Sequence, residues 1–193
     1  MATTAAGPPA KKARHSAHSA DLTHGKVIQG GTKPGKVAKA LRKQLDAAAD
    51  ECAPWEVAFL FANNKGEYNG TEFGAPKTTD PAEFSESGIK ACQLPDPTVE
   101  HQWSKDELKL FYNYCDEASV TYRRGGTVAI ACVGGENRSK AMAFAVTHDP
   151  DLKPTCPALQ AVAEAYINKQ DPDSLSVPIY APVTSSLRSR AKV

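Results

Sequence analysis

One short segment in the second half of the chain holds residue types that together can bind and transfer a phosphoryl group. Cys132 ends an apolar run, Gly134 and Gly135 follow it, and Arg138 and Ser139 open an apolar helical pattern. Backbone N–H groups in such a loop have no helical partners, and the helix dipole is positive there. Arginine can hold two phosphate oxygens at once, and a thiol among such donors can act as a thiolate nucleophile. The sequence therefore predicts an anion-binding loop with a cysteine nucleophile.

The segment 132–139, Cys-Val-Gly-Gly-Glu-Asn-Arg-Ser, resembles the signature loop of the protein tyrosine and dual-specificity phosphatases. That signature is Cys-x-x-Gly-x-x-Arg-Ser, and an Asn before the Arg, here Asn137, is common in the dual-specificity branch. By ordinary residue frequencies, four fixed positions arise by chance in roughly one chain in a thousand of this length. The resemblance implies a cysteine phosphatase-like fold and a phosphatase of phosphoproteins or other phosphomonoesters.

The resemblance also implies roles at individual positions. Cys132 would attack phosphorus and form a phosphocysteine, Arg138 would bind the phosphoryl oxygens, and Ser139 would help the cysteine sulfur leave in the second step. The general acid of the family matches Asp96, which lies upstream between a short strand and a helix; Asp80 is a weaker candidate because it lies further back. The loop residues expected to bind phosphate are Val133, Gly134, Gly135, Glu136, Asn137 and Arg138.

Two residues depart from the family pattern. The position directly before the cysteine is normally histidine, which favours the thiolate form, and here it is Ala131. Glu136 places a carboxylate in the loop, and it repels an anion unless its side chain points outward. A second interpretation therefore stays open: a catalytically inactive phosphatase-like protein that binds phospho-ligands or acts as a scaffold or structural assembly component.

Two further alternatives concern the loop itself. In an unrelated α/β protein, Cys132 would be a buried strand end and Arg138 a structural residue at a helix start. A rhodanese-like sulfur-transfer loop is another α/β alternative, but it typically has one fewer residue between Cys and Arg. A Walker loop is excluded, because no Gly-Lys-Ser/Thr follows the glycines.

The composition is that of one soluble globular domain. The chain has 193 residues, of which 41% are hydrophobic and 23% charged, and its net charge of +1 draws it to neither nucleic acid nor membrane. Its five cysteines form no Cys-x-x-Cys pair and its five histidines show no ligand spacing, so no zinc site or disulfide framework is expected. Without an apolar span or signal core, we expect a cytoplasmic or nuclear protein. The cysteine mechanism needs no metal or organic cofactor.

The other cysteines are expected to be small buried hydrophobes. A thiol close to the loop, from Cys92 or Cys115, could nevertheless protect Cys132 as a disulfide under oxidation. The sequence alone carries no positional evidence for either pair.

The chain is expected to consist of a basic tail (1–22), a phosphatase-like domain (23–170) and a C-terminal extension (171–193). Residues 1–22 lack periodicity and are rich in small and polar residues, which is typical of a flexible tail. The basic cluster at 8–14 is either solvated or a nuclear-import or polyanion-binding patch. Nucleic acid is therefore expected to bind only through the basic tails.

Strands and helices alternate in the domain. The predicted strands, which are apolar and rich in β-branched or aromatic residues, are Lys26–Gly31, Trp55–Ala62, Ile89–Leu94 and Thr127–Cys132. The predicted helices are Pro34–Cys52, Ser104–Arg124 (with a capping box to Glu107), Ser139–Val146 and Pro157–Lys169. Residues 63–88 are predicted to be a long loop with a hairpin or a turn of helix. This order predicts an α/β fold with a central, mostly parallel sheet flanked by helices.

Overall fold

A computed structural model of the chain describes residues 24–33, 35–48, 53–97 and 102–175. The tail predicted for 1–22, Cys52 and residues 176–193 of the C-terminal extension lie outside these ranges. In chain order the elements are β1 (Lys26–Gly31), α1 (Lys36–Ala48), β2 (Val57–Phe61), β3 (Tyr68–Asn69), β4 (Lys77–Thr78), β5 (Ile89–Cys92), α2 (Lys105–Arg123), β6 (Thr127–Cys132), α3 (Arg138–Thr147) and α4 (Pro157–Ile167).

A four-stranded sheet in the order β1-β6-β2-β5 forms the centre of the fold, and all its neighbouring strands are parallel. The prediction of an α/β fold with a central parallel sheet flanked by helices is confirmed. β6 is bonded on both edges, and its almost uninterrupted apolar sequence suits a strand that is buried on both faces. The register places Cys132 opposite Gly31 of β1, so the nucleophile candidate lies at the carboxyl edge of the sheet between two other strands.

Helices cover both faces of the sheet. Leu41 and Leu45 of α1 pack on one face, together with the segment 63–88, while α2, α3 and α4 pack on the other. α3 contacts both α2 and α4, and its residues from Arg138 to Val146 are buried except for Lys140, which is partly exposed. A helix without a polar face belongs in the interior. The first turn of α3, which follows the loop, is therefore held firmly from several sides.

The ends of the elements follow local sequence signals. Ser104 accepts a hydrogen bond from the amide of Glu107 at 3.2 Å, and the Glu107 carboxylate accepts one from the amide of Ser104 at 2.7 Å. The predicted capping box at the start of α2 is thus confirmed. The segment 63–88 contains both a hairpin, β3–β4, and 3₁₀ turns at Thr71–Phe73 and Pro81–Ser87.

No helix within the described ranges combines the length and the apolar character needed to cross a bilayer.

Candidate active site

The glycine loop runs from the end of β6 to the start of α3 and lies against the end of β1. Past β1, the amides of Thr32 and Lys33 donate to the carbonyl oxygens of Cys132 and Val133, at 3.0 and 2.8 Å. A Cβ atom on Gly31 would lie only 2.8 Å from the backbone carbon of Gly134, so this close approach requires glycine. The glycine of the predicted signature, Gly135, is also required by the backbone conformation, because its φ is +72°, in the left-handed region.

We expect Gly31→Ala to lower the free energy of unfolding by about 1–3 kcal/mol, because its methyl group must push the loop away from β1. Vanadate binding should weaken as well. Urea unfolding and a vanadate titration measure the two effects. Gly134→Ala is the matched control, since a Cβ there meets no atom within 4 Å. Equal losses of stability in the two variants would contradict the role of this contact.

The sulfur of Cys132 receives two hydrogen-bonding groups from the loop and α3. The amide of Gly135 donates to Sγ at 3.2 Å, and the hydroxyl of Ser139 lies 3.1 Å from it. Cys132 is 2% exposed and Ser139 is fully buried. Donors aimed at an atom on which negative charge develops stabilise that charge strongly in a water-poor site. The structure thus brings together three of the residues predicted from the sequence.

Gln29 of β1 belongs to the same group of side chains, although sequence reasoning did not select it. Its side-chain nitrogen lies 2.6 Å from the carbonyl oxygen of Gly135 and 2.8 Å from the hydroxyl of Ser139. A polar residue inside a short strand, directly before Gly30-Gly31, is a signal that could have identified it.

Arg138 is fully buried and reaches across the carboxyl ends of two strands. Its Nη1 donates to the carbonyl oxygen of Ala62, after β2, at 2.7 Å and to that of Leu94, after β5, at 2.6 Å. The guanidinium carbon also lies 5.6 Å from the centroid of the Phe61 ring, which is a cation–π distance. This side chain therefore joins two strand ends beside the loop, and the sequence did not predict these two backbone partners.

Asp96 lies next to this guanidinium, as its predicted place in the site requires. Its Oδ1 is 3.0 Å from Nε of Arg138, and the two side chains are 33% and 1% exposed. The contact is ionic rather than a hydrogen bond, since neither of these two atoms has a hydrogen-bond partner among the described residues. Trp103 fixes the segment by donating from Nε1 to the carbonyl oxygen of Pro95 at 2.9 Å. Asp96 is thereby held at the rim of the site.

Asp80, the weaker acid candidate, has a different local role. It is exposed, and its carboxylate accepts a hydrogen bond from the amide of Ala82 at 2.9 Å. This contact caps the 3₁₀ turn Pro81–Ser87. The structure thus gives Asp80 a capping function and brings Asp96, rather than Asp80, to Arg138.

The amides at the start of α3 are open to an anion. Asn137 occupies the cap position but makes no side-chain cap, and its Oδ1 instead accepts from the hydroxyl of Thr155 at 3.2 Å. Among the described residues, the amides of Gly134, Glu136 and Asn137 have no hydrogen-bond partner in the protein. Uncapped amides at a helix N-terminus favour negatively charged ligands.

The carboxylate of Glu136, in the loop, is paired with a cation in the first turn of α3. Its Oε2 lies 2.7 Å from Nζ of Lys140, and the Glu136 side chain is 46% exposed. Pairing and solvent both reduce the repulsion that a carboxylate in the loop exerts on an anion. The outward orientation that the sequence required of Glu136 is therefore present.

Ala131 has a packing role that the comparison with the signature did not reveal. Successive side chains of β6 point to opposite faces, so Cys132 faces α2, α3 and α4 while Ala131 is fully buried on the α1 side. A histidine at 131 would have to displace core side chains there, at a cost of about 1–3 kcal/mol. The small residue thus suits the interior of this protein.

Two of the other cysteines, Cys92 and Cys115, are fully buried. Cys92 ends β5, and β2 lies between β5 and β6, so two strand spacings of about 4.8 Å each separate Cys92 from Cys132. A disulfide requires Cα atoms closer than about 7 Å, so the proposed protective pair with Cys92 is wrong. Burial raises the pKa of the Cys92 and Cys115 thiols well above the ordinary range, which keeps both protonated and unreactive.

One cavity lies at each end of the sheet. One of about 340 Å³ adjoins the strand ends that Arg138 joins, and its walls include Asn63, Tyr68, Leu94 and Pro95. The other, of about 540 Å³, lies between α2, α3 and α4 at the far end of α3 from the loop. The described ranges contain no group of three His, Cys, Asp or Glu side chains arranged to hold a metal ion.

No protein-family model matches the chain, and no curated protein matches it significantly. What this site does must therefore be inferred from its own atoms.

Proposed function

We propose that the chain is a cysteine-dependent phosphatase that hydrolyses phosphomonoesters, phosphoproteins among them, through a phosphocysteine. The observation that carries this proposal is the convergence of the Gly135 amide and the Ser139 hydroxyl on Cys132 Sγ, at the uncapped N-terminus of α3. A buried sulfur with two donors beside open helix amides combines a nucleophile with an anion site. A strand-end cysteine with a purely structural role needs neither feature.

In the first step, Sγ of Cys132 attacks phosphorus and the bond to the leaving oxygen breaks. That oxygen takes a proton from the carboxyl group of Asp96, and the phosphoryl group remains on sulfur. In the substrate complex, a phosphoryl oxygen replaces the Asp96 carboxyl group as the partner of Arg138 Nε. This exchange is needed because the 3.0 Å contact with Asp96 occupies the edge of the guanidinium that would hold the anion. Loop amides and the guanidinium then stabilise the charge of the transition state.

In the second step, a water molecule attacks phosphorus and the sulfur–phosphorus bond breaks. The electron pair of that bond returns to Sγ, and the carboxylate of Asp96 takes the proton of the water. Inorganic phosphate leaves, and the enzyme regains its starting state. Every proton and electron pair is accounted for by Cys132, Asp96, water and the substrate, so the proposed cycle involves no cofactor.

The direct test is hydrolysis of p-nitrophenyl phosphate by the purified chain. We expect turnover in the presence of EDTA that vanadate inhibits, together with a phosphocysteine that rapid acid quenching traps. Turnover that EDTA abolishes, or turnover without a sulfur-bound phosphoryl group, would contradict the mechanism.

We expect Asp96→Asn to slow an alkyl phosphate about 100-fold, because an alkoxide leaves poorly without a proton. Hydrolysis of p-nitrophenyl phosphate should fall by less than about 10-fold, since p-nitrophenolate is a good leaving group. Steady-state kinetics on both substrates measure the difference. Asp80→Asn is the matched control, because an amide oxygen can still cap the turn at 81–87. Equal losses on the two substrates would remove Asp96 from the acid role.

A non-catalytic phospho-ligand binder is the second candidate function. The observation that favours it is the full burial of Arg138, whose Nη1 already serves two backbone carbonyls. If Arg138 keeps both hydrogen bonds when an oxyanion binds, the unpaired amides of the loop still bind that anion, but no phosphoryl transfer follows. Binding of vanadate or phosphotyrosine by a folded chain that shows no turnover would select this function over the first.

A further inference from the structure

Gln29 connects the first strand of the sheet to both donors of the cysteine sulfur. Its side-chain nitrogen contacts the carbonyl oxygen of Gly135 at 2.6 Å and the hydroxyl oxygen of Ser139 at 2.8 Å. The Gly135 amide and the Ser139 hydroxyl are the groups that lie 3.2 and 3.1 Å from Cys132 Sγ. Gln29 is only partly buried, so it is not needed simply to fill the core.

The orientation of the Gln29 amide follows from its partners. Amide nitrogen and oxygen are assigned from the surrounding hydrogen bonds. The oxygen of Gly135 is a carbonyl and carries no hydrogen, so the atom 2.6 Å away has to be the donor nitrogen. That nitrogen has two hydrogens, and its second contact is Ser139 Oγ.

This orientation determines where the hydroxyl hydrogen of Ser139 goes. A hydroxyl has one hydrogen to donate, and its oxygen here accepts from Gln29. Among the contacts of that hydroxyl, Sγ of Cys132 at 3.1 Å is the remaining partner. The hydrogen of Ser139 is therefore directed at the sulfur, and the carbonyl contact at the same time fixes the backbone of Gly135.

We propose that Gln29 is a positioning residue for the hydrolysis of the phosphocysteine, an inference that rests on the proposed phosphatase function. In that step the sulfur–phosphorus bond breaks, the electron pair returns to Sγ and water delivers its proton to Asp96. Negative charge develops on sulfur, so a hydrogen bond aimed there lowers the barrier. In the first step the sulfur loses its charge, and the same hydrogen bond gives no acceleration.

The two steps can be separated with Gln29→Met, which keeps the length of the side chain and removes its amide. With p-nitrophenyl phosphate we expect kcat to fall about 10- to 100-fold. The ratio kcat/KM, which reports the steps up to phosphocysteine formation, should change by less than about 3-fold. Rapid-quench experiments should then show a burst of p-nitrophenolate and accumulation of phosphocysteine. Gln29→Asn, too short to span both contacts but still polar, should act in the same direction.

Ser139→Ala tests whether Gln29 acts through the hydroxyl. In that background, Gln29→Met should lower kcat by clearly less than it does in the wild-type chain, because of its two contacts only the one with the carbonyl oxygen of Gly135 is left to lose. Gln44→Met on α1 is the matched control at an exposed site and should keep the wild-type kcat. Parallel losses of kcat and kcat/KM, or additive effects of the two substitutions, would overturn the positioning role while leaving the phosphatase intact. Absence of turnover in the unaltered chain would instead remove the phosphatase function, and this inference with it.

Discussion

Cys132→Ser is expected to abolish turnover of p-nitrophenyl phosphate, with a loss on the order of 10⁴-fold or more, because a serine hydroxyl is a far weaker nucleophile than a thiolate. The fold should be retained. A hydroxyl at 132 can still accept from the Gly135 amide and contact Ser139, so we expect the free energy of unfolding to change by no more than about 1 kcal/mol. Steady-state kinetics and urea unfolding of the same preparations measure both quantities.

Cys156→Ser is the matched control for the loss of a thiol. Cys156 is a partly exposed cysteine at the cap position of α4, where serine is a preferred residue. This variant should keep its turnover and its stability. Residual turnover of Cys132→Ser near the wild-type level, with Cys156→Ser equally active, would exclude a phosphocysteine mechanism in this protein.

Arg138→Lys is expected to lower both turnover and stability, in contrast to Cys132→Ser. A lysine keeps the charge but has a single nitrogen, which cannot serve the carbonyl oxygens of Ala62 and Leu94 and the carboxylate of Asp96 in the same geometry. We expect the free energy of unfolding to fall by about 2–4 kcal/mol, the value of one or two lost hydrogen bonds to a charged group. Turnover should fall roughly 10³-fold, because the bidentate contact with the transition state is lost.

Arg42→Lys on α1 controls for the substitution itself. Arg42 and Asp46 form an exposed pair at 2.8 Å, and such pairs contribute at most about 1 kcal/mol. If Arg138→Lys lowers stability but leaves turnover unchanged, Arg138 serves only to connect the ends of β2 and β5 through its hydrogen bonds. That result would favour the interpretation in which the arginine is purely structural.

The sequence was most informative where one local rule determines the structure. The bounds of β6 were predicted to the residue, because a short apolar run that ends at a glycine turn has few other solutions. The capping box of α2 was predicted for the same reason, since it involves only Ser104 and Glu107. β1 was predicted to end in a glycine turn, whereas Gly30 and Gly31 belong to the strand and pair with β6. The position of the loop between β6 and α3 was predicted from the two glycines and the arginine that follow the apolar run.

The partners of the loop could not be predicted, because they depend on the register of strands far apart in sequence. Gln29 reaches Ser139 only because β1 lies beside β6. The acceptors of Arg138 are backbone carbonyls of Ala62 and Leu94, and every residue type has a carbonyl, so no sequence signal marks them. The packing of Ala131 likewise required knowledge of which face α1 covers.

The strand order has a consequence for the synthesis of this protein. β6 is the last strand of the sheet to leave the ribosome, yet it lies between β1 and β2, which are made more than 60 residues earlier. Until β6 arrives, the edges of β1 and β2 that it will cover have no partner, and unpaired edges invite association with other chains. The strand that ends in Cys132 is therefore also the one that closes the sheet. A nascent chain must protect those two edges until β6, with Cys132 at its end, is in place.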